Sequence, residues 1–309
     1  MDPLFTFGDL VLDVVAQVAD QLDADTDTPG DVMSAPGGSA ANLAAWTARL
    51  GDPVRFACRV GDDMLGRALV DDMRREGVEP FAATDPDHPT AVLVLFAQGT
   101  QRHMMVPRGA NHYLDVADIP AQALLSSGWL HVTGYSFFWE ATARAAGHAL
   151  SLARQSGIPI SFDPSSAGFI RRHGLEVPDG VQVILTNHEE ALALTGATSP
   201  GDAAHELARN VPLVAVKMGA AGALICHEGQ LSHIPGAELD GPVVDTVGAG
   251  DAWGAGFISL LRRGWEPVRA AEAANRLAAL TVTRRGARPA IIMPDEFSRQ
   301  GGSPHDQSL

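Results

Sequence analysis

The densest chemical signal in this sequence is the stretch VVDTVGAGDAWGAGFISLLRRG, Val243 to Gly264. After Asp251 the apolar residues Trp253, Phe257, Leu260 and Leu261 recur at helical spacing, so a buried helix is expected to start near Gly250. Gly248, Ala249 and Gly250 just before it carry almost no side chain. Such residues let several backbone N–H groups converge on one point, and a helix N-terminus with bare amides is an anion site. A carboxylate is out of place there if the site only holds an anion. It fits if a phosphoryl group must meet a hydroxyl, because Asp251 can then take the hydroxyl proton as general base. The plain alternative is an ordinary helix cap. A dinucleotide fingerprint does not fit, since the glycine after Gly248-x-Gly250 comes one position late for G-x-G-x-x-G.

A second signal is APGGSAANLAAWTARLG, Ala35 to Gly51. Gly37 and Gly38 allow close approach to the backbone ahead of a helix, and Asn42 in its first turns can both donate to and accept from hydroxyls. The alternative is a helix entry with glycines in a turn. A third signal is compositional: of 22 basic residues only Lys217 is a lysine. It is not part of a P-loop, because Val216 stands where that motif needs a glycine. Eleven histidines form no H-E-x-x-H, and Cys58 and Cys226 lack zinc or disulfide spacing, so both are expected to be core residues.

These residues must be positioned by elements the hydrophobic pattern already outlines. Leu4–Asp9, Val54–Gly61, Trp129–Gly134, Ile158–Pro164, Val181–Asn187 and Val211–Gly219 read as strands, each closing on Gly, Asp, Asn or Lys or on a Pro beside them. Helical stretches such as SAANLAAWTARLG, MLGRALVDDMRREG, EATARAAGHALSLARQSG and HEEALALTG lie between them. That alternation predicts an α/β fold, a mostly parallel sheet with helices on both faces. Ligands in such sheets sit beyond the carboxyl ends of the strands. Two segments break the alternation, about 10–35 and 90–106, the second reading as a hairpin around QGTQ. They are expected to form a small antiparallel flap, the alternative being edge strands of the main sheet. The chain is expected to be one domain over 1–298, with a polar tail over 299–309.

Composition narrows the partners. With 309 residues, 46% of them hydrophobic, the chain can bury a large core. Twenty-two basic against 37 acidic residues leave a net charge of −15, which argues against nucleic acid or an anionic membrane as the main partner. No run of about 18 apolar residues spans a membrane. The start MDPLFTFGDLVLDVV carries acids where a signal peptide is basic, so a cytoplasmic location is expected. TAVLVLF and HMMV are more apolar than an exposed hairpin should be, which predicts a homodimer through the flaps.

GGSAAN with ARLG, and DTVGAGD with its following helix, resemble the N- and C-terminal signatures of the ribokinase-like (PfkB) family of carbohydrate and nucleoside kinases, and the resemblance covers nearly the whole chain. It implies a three-layer fold with a small β-sheet lid. It implies ATP-dependent phosphorylation of a hydroxymethyl group on a small sugar, with a nucleoside as the alternative acceptor and magnesium as cofactor. Asp251 would be the base and the Gly248-Ala249-Gly250 amides the anion hole. Asp9 after Gly8, with Gly37, Gly38, Asn42 and Arg108, would hold the acceptor; Asn111 is a similar candidate. TNHEE would bring Asn187 and Glu190 near magnesium, Glu190 acting through water. VKMGAAG would set Lys217, Gly219 and Gly222 beside ATP, and Asn275 would lie near the adenine. Asp245 with the carbonyls of Val247, Arg284 and Ala287 would correspond to a potassium loop. FDPSSAGFI departs from the Asp-x-Asn-x-Arg of fructokinases and ketodeoxygluconate kinases, which weakens a fructose or keto-acid acceptor. A catalytically silent sugar-binding regulator is disfavoured, because Asp251 and its glycines are intact.

Overall fold

Nearly every residue of Val54–Gly61 is buried or half-buried, the pattern of a strand covered on both faces, and the neighbouring central strands behave alike. The computed structural model describes residues 1–18, 25–98, 101–106 and 109–297; the expected tail and Arg108 lie outside them.

The N-terminal half runs β1 (Leu4–Phe7), β2 (Val11–Val18), β3 (Asp31–Gly37), α1 (Ser39–Arg49), β4 (Val54–Gly61), α2 (Met64–Arg75), β5 (Glu79–Asp85), β6 (Val92–Gln98) and β7 (Gln101–Met105). Then come α3 (Ala121–Leu125), β8 (Trp129–Thr133), α4 (Glu140–Gln155), β9 (Ile160–Asp163), α5 (Ala167–His173), β10 (Val183–Asn187), α6 (His188–Thr195) and α7 (Pro200–Leu207). The chain closes with β11 (Leu213–Lys217), β12 (Ala223–His227), β13 (Gln230–Ile234), α8 (Ala249–Arg262) and α9 (Pro267–Val282).

Nine strands form the main sheet in the order β13-β12-β11-β10-β9-β8-β1-β4-β5. From β11 to β5 all neighbours are parallel, and β12 and β13 add an antiparallel edge. Side chains alternate across the sheet: Leu4, Phe56 and Leu185 join a core with Leu43, Trp46, Trp253, Phe257 and Leu277 of α1, α8 and α9. Phe5, Phe7, Val132 and Ile184 join the opposite core with Ala145, Ala149 and Leu150 of α4. The layered α/β arrangement is the one the alternation predicts. Cys58 and Cys226 are free and buried, one in each core, and burial pushes the Cys58 thiol up to about 12.

The two irregular segments build a separate four-stranded sheet, β3-β2-β6-β7. It is not wholly antiparallel as expected. The outer pairs β2–β3 and β6–β7 are antiparallel, but the central pair β2–β6 is parallel, Leu12 to Val18 facing Val92 to Gln98. The reason is connectivity: β2 and β6 both leave the main sheet in the same direction, and each is followed by its returning partner. Among the described residues, no helix is long and apolar enough to cross a membrane.

Candidate active site

The sheet reverses its strand order at β1, with β4 on one side and β8 on the other, which is the switch point where open α/β sheets bind ligands. Asp9, Tyr135, Asp163, Asn187 and Lys217 all sit at or just beyond carboxyl ends of parallel strands. Two cavities open at this edge, and they meet at the N-terminus of α8. One, of about 280 Å³, is lined by Asp9, Asp13, Gly38, Ser39, Asn42 and Asp251 among others. The other, of about 390 Å³, is lined by Lys217, Gly219, Gly222, Ala249, Gly250 and Asn275 among others.

Gly248 is the N-cap of α8 at φ 74°, a left-handed conformation that glycine adopts without strain. A Cβ there would also lie 2.6 Å from the Ala287 Cα. Asp251 is therefore three residues into the helix and does not cap it. Its carboxylate accepts from Ser39 Oγ at 2.8 Å and from Asn42 Nδ2 at 2.9 Å, contacts across more than 200 residues of sequence. Burial raises its pKa to about 6, against the lowering effect of those two donors. The Gly250 and Asp251 amides have no acceptor among the described residues, as expected for a first helical turn. The Val247 amide, by contrast, donates to Asp245 Oδ1, and Ala249 N reaches Thr246 O only at 3.4 Å.

In the smaller cavity, Asp9 accepts from Asn111 Nδ2 at 2.9 Å, and burial pushes its carboxyl up. Asp13 beside it is raised to about 6 by burial, with Arg288 opposing and Asp9 reinforcing the rise. The paired glycines prove necessary for the protein's own packing: a Cβ on Gly37 would come 2.0 Å from Asp13 Oδ2, and one on Gly38 2.1 Å from the Asp9 carbonyl oxygen. Val11, Asp13 and Val15, alternate residues of β2, line the cavity with Leu93 and Leu95 of β6, so the small sheet is one of its walls. The opposite wall carries Tyr135, Trp139 and Phe169, with Phe169 ring centroids 6.1 Å from Tyr135 and 5.9 Å from Trp139. Among the described lining residues there is no lysine or arginine.

On the other side, Lys217 Nζ pairs with Asp163 Oδ2 at 2.8 Å and lies 3.5 Å from where a Gly250 Cβ would be. Burial would depress this ammonium, but Asp163 and Glu190 hold it above its ordinary value. Ser165, at a positive φ of 73°, donates its amide to Asp163 Oδ1, and its hydroxyl accepts from Gly134 N. Asp163 is a site residue that the sequence reading did not name, although a strand ending in Asp before Pro-Ser-Ser is a legible signal. Asn187 and Glu190 do not line either cavity. They form a capping box at α6: the Asn187 side chain accepts from Glu190 N, and Glu190 Oε2 accepts from Asn187 N. Burial, with Asp163 nearby, raises Glu190 to about 7.

Asn275 faces the larger cavity but is committed to packing, accepting from Trp253 Nε1 at 2.8 Å and donating to the Pro235 carbonyl at 2.9 Å. Gly222 is at φ 91°, and a Cβ there would strike the Ile234 carbonyl oxygen at 2.0 Å. In the segment expected to form a potassium loop, Asp245 accepts from Val247 N and Gly286 N, and the Ala287 carbonyl accepts from Trp46 Nε1. Among the described residues no set of three or more metal-ligating side chains comes together. The buried Asp163 and Glu190 beside Lys217 fit a magnesium ion held mainly by phosphates and water, the usual habit of that ion.

Proteins of known identity resemble this chain over nearly its whole length. A fructokinase of Vibrio alginolyticus is 32% identical over 317 residues, covering 97% of this chain and 99% of its own. An adenosine kinase of Sinorhizobium meliloti superposes with a TM-score of 0.84 at 25% identity, covering 94% of this chain and 96% of its own. An Escherichia coli protein solved in complex with ATP and Mg²⁺ gives a TM-score of 0.83 at 25% identity, over 93% of this chain and 94% of its own. The model of the pfkB family carbohydrate kinases matches residues 1–293. This chain, a phosphotransferase acting on a sugar hydroxyl, belongs to the pfkB carbohydrate kinase family.

Proposed function

We propose that the protein transfers the γ-phosphoryl group of ATP to a hydroxymethyl group of a small, uncharged sugar, with Asp251 as general base. The observation that carries this reading is the meeting of the two cavities at α8: Asp251 lines one, Ala249 and Gly250 line the other. An acceptor held by Asp9 and Asp13 would present its hydroxyl to Asp251; Arg108, the other acceptor-side candidate, lies outside the described residues. The Gly250 and Asp251 amides and Lys217 would face the phosphoryl oxygens, where charge develops in the transition state. Asn275 and the Gly219–Gly222 turn would border the nucleotide. Magnesium, bound with the phosphates, would neutralise their charge, with Glu190 and Asp163 reached through water. The small sheet would act as a lid that excludes water as a competing acceptor.

FDPSSAGFI, without the arginine of the Asp-x-Asn-x-Arg stretch, weakens a keto-acid acceptor. A nucleoside is the second reading. The aromatic wall of Tyr135, Trp139 and Phe169 favours it, since a base can stack where a free sugar leaves the wall unused. The test is an ATP-consumption screen over pentoses, hexoses, sugar acids and nucleosides, with Asp251→Asn alongside the wild type. Turnover of one neutral acceptor is expected, and kcat should fall by roughly 10²–10⁴ in the variant while the KM for ATP holds. Near-wild-type turnover by Asp251→Asn would defeat the assignment of the base.

A further inference from the structure

Asn42 stands between two groups of opposite hydrogen-bonding character. Its Nδ2 donates to Asp251 Oδ2 at 2.9 Å, while its Oδ1 accepts from Arg288 Nε at 2.8 Å. An asparagine amide can turn over, exchanging its oxygen and nitrogen. Here the exchange is forbidden from both ends: a guanidinium only donates and a carboxylate only accepts. With Arg288 in place, the donor face of Asn42 must point at Asp251.

Arg288 is itself held firmly. Its side chain is 6% exposed, with Nη1 3.3 Å from Asp72 Oδ2 and 3.4 Å from Met73 Sδ. Its carbonyl accepts from Arg49 Nη1, and the preceding carbonyl, that of Ala287, accepts from Trp46. Yet Nη2 is buried with no acceptor among the described residues. A guanidinium half-satisfied in this way is poor value for stability, since an apolar side chain of the same size would avoid the desolvation. The charge does lie close to the carboxylates of the acceptor cavity: it opposes the rise of Asp13, and Asp251 in turn supports the Arg288 charge.

We propose that Arg288, which lines neither cavity, is a positioning residue: through the Asn42 amide it fixes the direction in which the Asp251 carboxylate faces the acceptor hydroxyl. The inference rests on the reading of Asp251 as general base. A consequence concerns pH. The charged and titratable groups around Asp251 are Asp163 and Lys217 from β9 and β11, Tyr135 after β8, the cavity acids Asp9 and Asp13, and Arg288. Removing one buried cation from this set disfavours the Asp251 carboxylate, so the acid limb of kcat should move to higher pH.

The experiment compares Arg288→Met, Arg288→Lys, Asp72→Asn and Asp251→Asn with the wild type, on the acceptor found in the screen. Arg288→Met should lose between about 10- and 100-fold in kcat, leave the KM for ATP within about twofold, and shift the acid limb upward. Arg288→Lys keeps the charge without the planar Nε donor, so it should restore the limb while recovering kcat only in part. If Arg288→Met fails to fold, Asp72→Asn is decisive, because it releases Arg288 without removing it; a smaller kcat loss in the same direction is expected. Wild-type kcat and pH profile in a folded Arg288→Met, or in Asp72→Asn when the former does not fold, would overturn the proposal while Asp251→Asn stays inactive. An active Asp251→Asn would instead remove the base assignment, and the proposal with it.

Discussion

Asp13 shows how a single side chain trades stability for a role in the cavity. Among the described residues no side-chain hydrogen bond offsets its burial, and its pKa rises to about 6 from an ordinary 3.8. A raised acid binds its proton more tightly in the folded state. Its contribution to stability is therefore fully present below about pH 4 and lost as the pH rises through about 6. Asp13→Asn cannot lose that contribution. Its stability relative to the wild type should improve by on the order of 1–3 kcal/mol between pH 4.5 and 7.5. Urea denaturation at the two pH values measures this, and a difference that does not change with pH would refute it. Asp251 carries a similar rise, but two donors oppose it there, whereas Arg288 opposes the rise of Asp13 by charge.

Among the elements, the entry into α8 depends on backbone geometry that only glycine supplies. Gly248→Ala would need both a left-handed backbone and room beside Ala287 that is absent. We expect a loss of about 2 kcal/mol or more in stability, together with a fall in kcat as the Gly250 and Asp251 amides turn away. Gly147 in α4 is the control: apart from its own helix backbone and chain neighbours, no atom lies within 4 Å of where its Cβ would be, so Gly147→Ala should stabilise by up to about 1 kcal/mol and leave kcat alone. Thermal melts of the two variants should move in opposite directions. Equal, small shifts would mean the α8 entry is not under the constraint argued here.

For the whole molecule, the small sheet that walls the acceptor cavity also presents apolar side chains outward. Val32 of β3 is 69% exposed and Met105 of β7 is 60% exposed. A second copy of the chain covering this face is the expected occupant, joining the lids of two active sites. Sedimentation at micromolar concentration should report a dimer. A monomer there, or a dimer untouched by Val32→Glu with Met105→Glu, would remove the proposed interface.

Much of this was legible without coordinates because it is local. A short apolar run marked Val54–Gly61 as a strand and helical spacing marked Met64–Arg75 as a helix, and the strand–helix alternation implied the parallel sheet. Gly248, Gly250 and Asp251 announced themselves within four residues, because a helix entry with open amides is a short-range feature. What only the tertiary structure decided is long-range. Asp251 and Asn42 lie 209 residues apart and Asn42 and Arg288 lie 246 apart, so no spacing in the chain relates them. The β2–β6 pairing was illegible for the same reason, since a strand's pattern says which face it buries and not which neighbour it takes. Asn187 and Glu190 show the opposite limit. Their spacing is a helix-capping box as readily as a phosphate-side motif, and packing determined that their side chains bond to each other's backbone. Spacing determined the chemistry available at each strand end; packing determined which of those groups face one another, because side-chain partners across a sheet are set by the folding of distant segments onto a shared core.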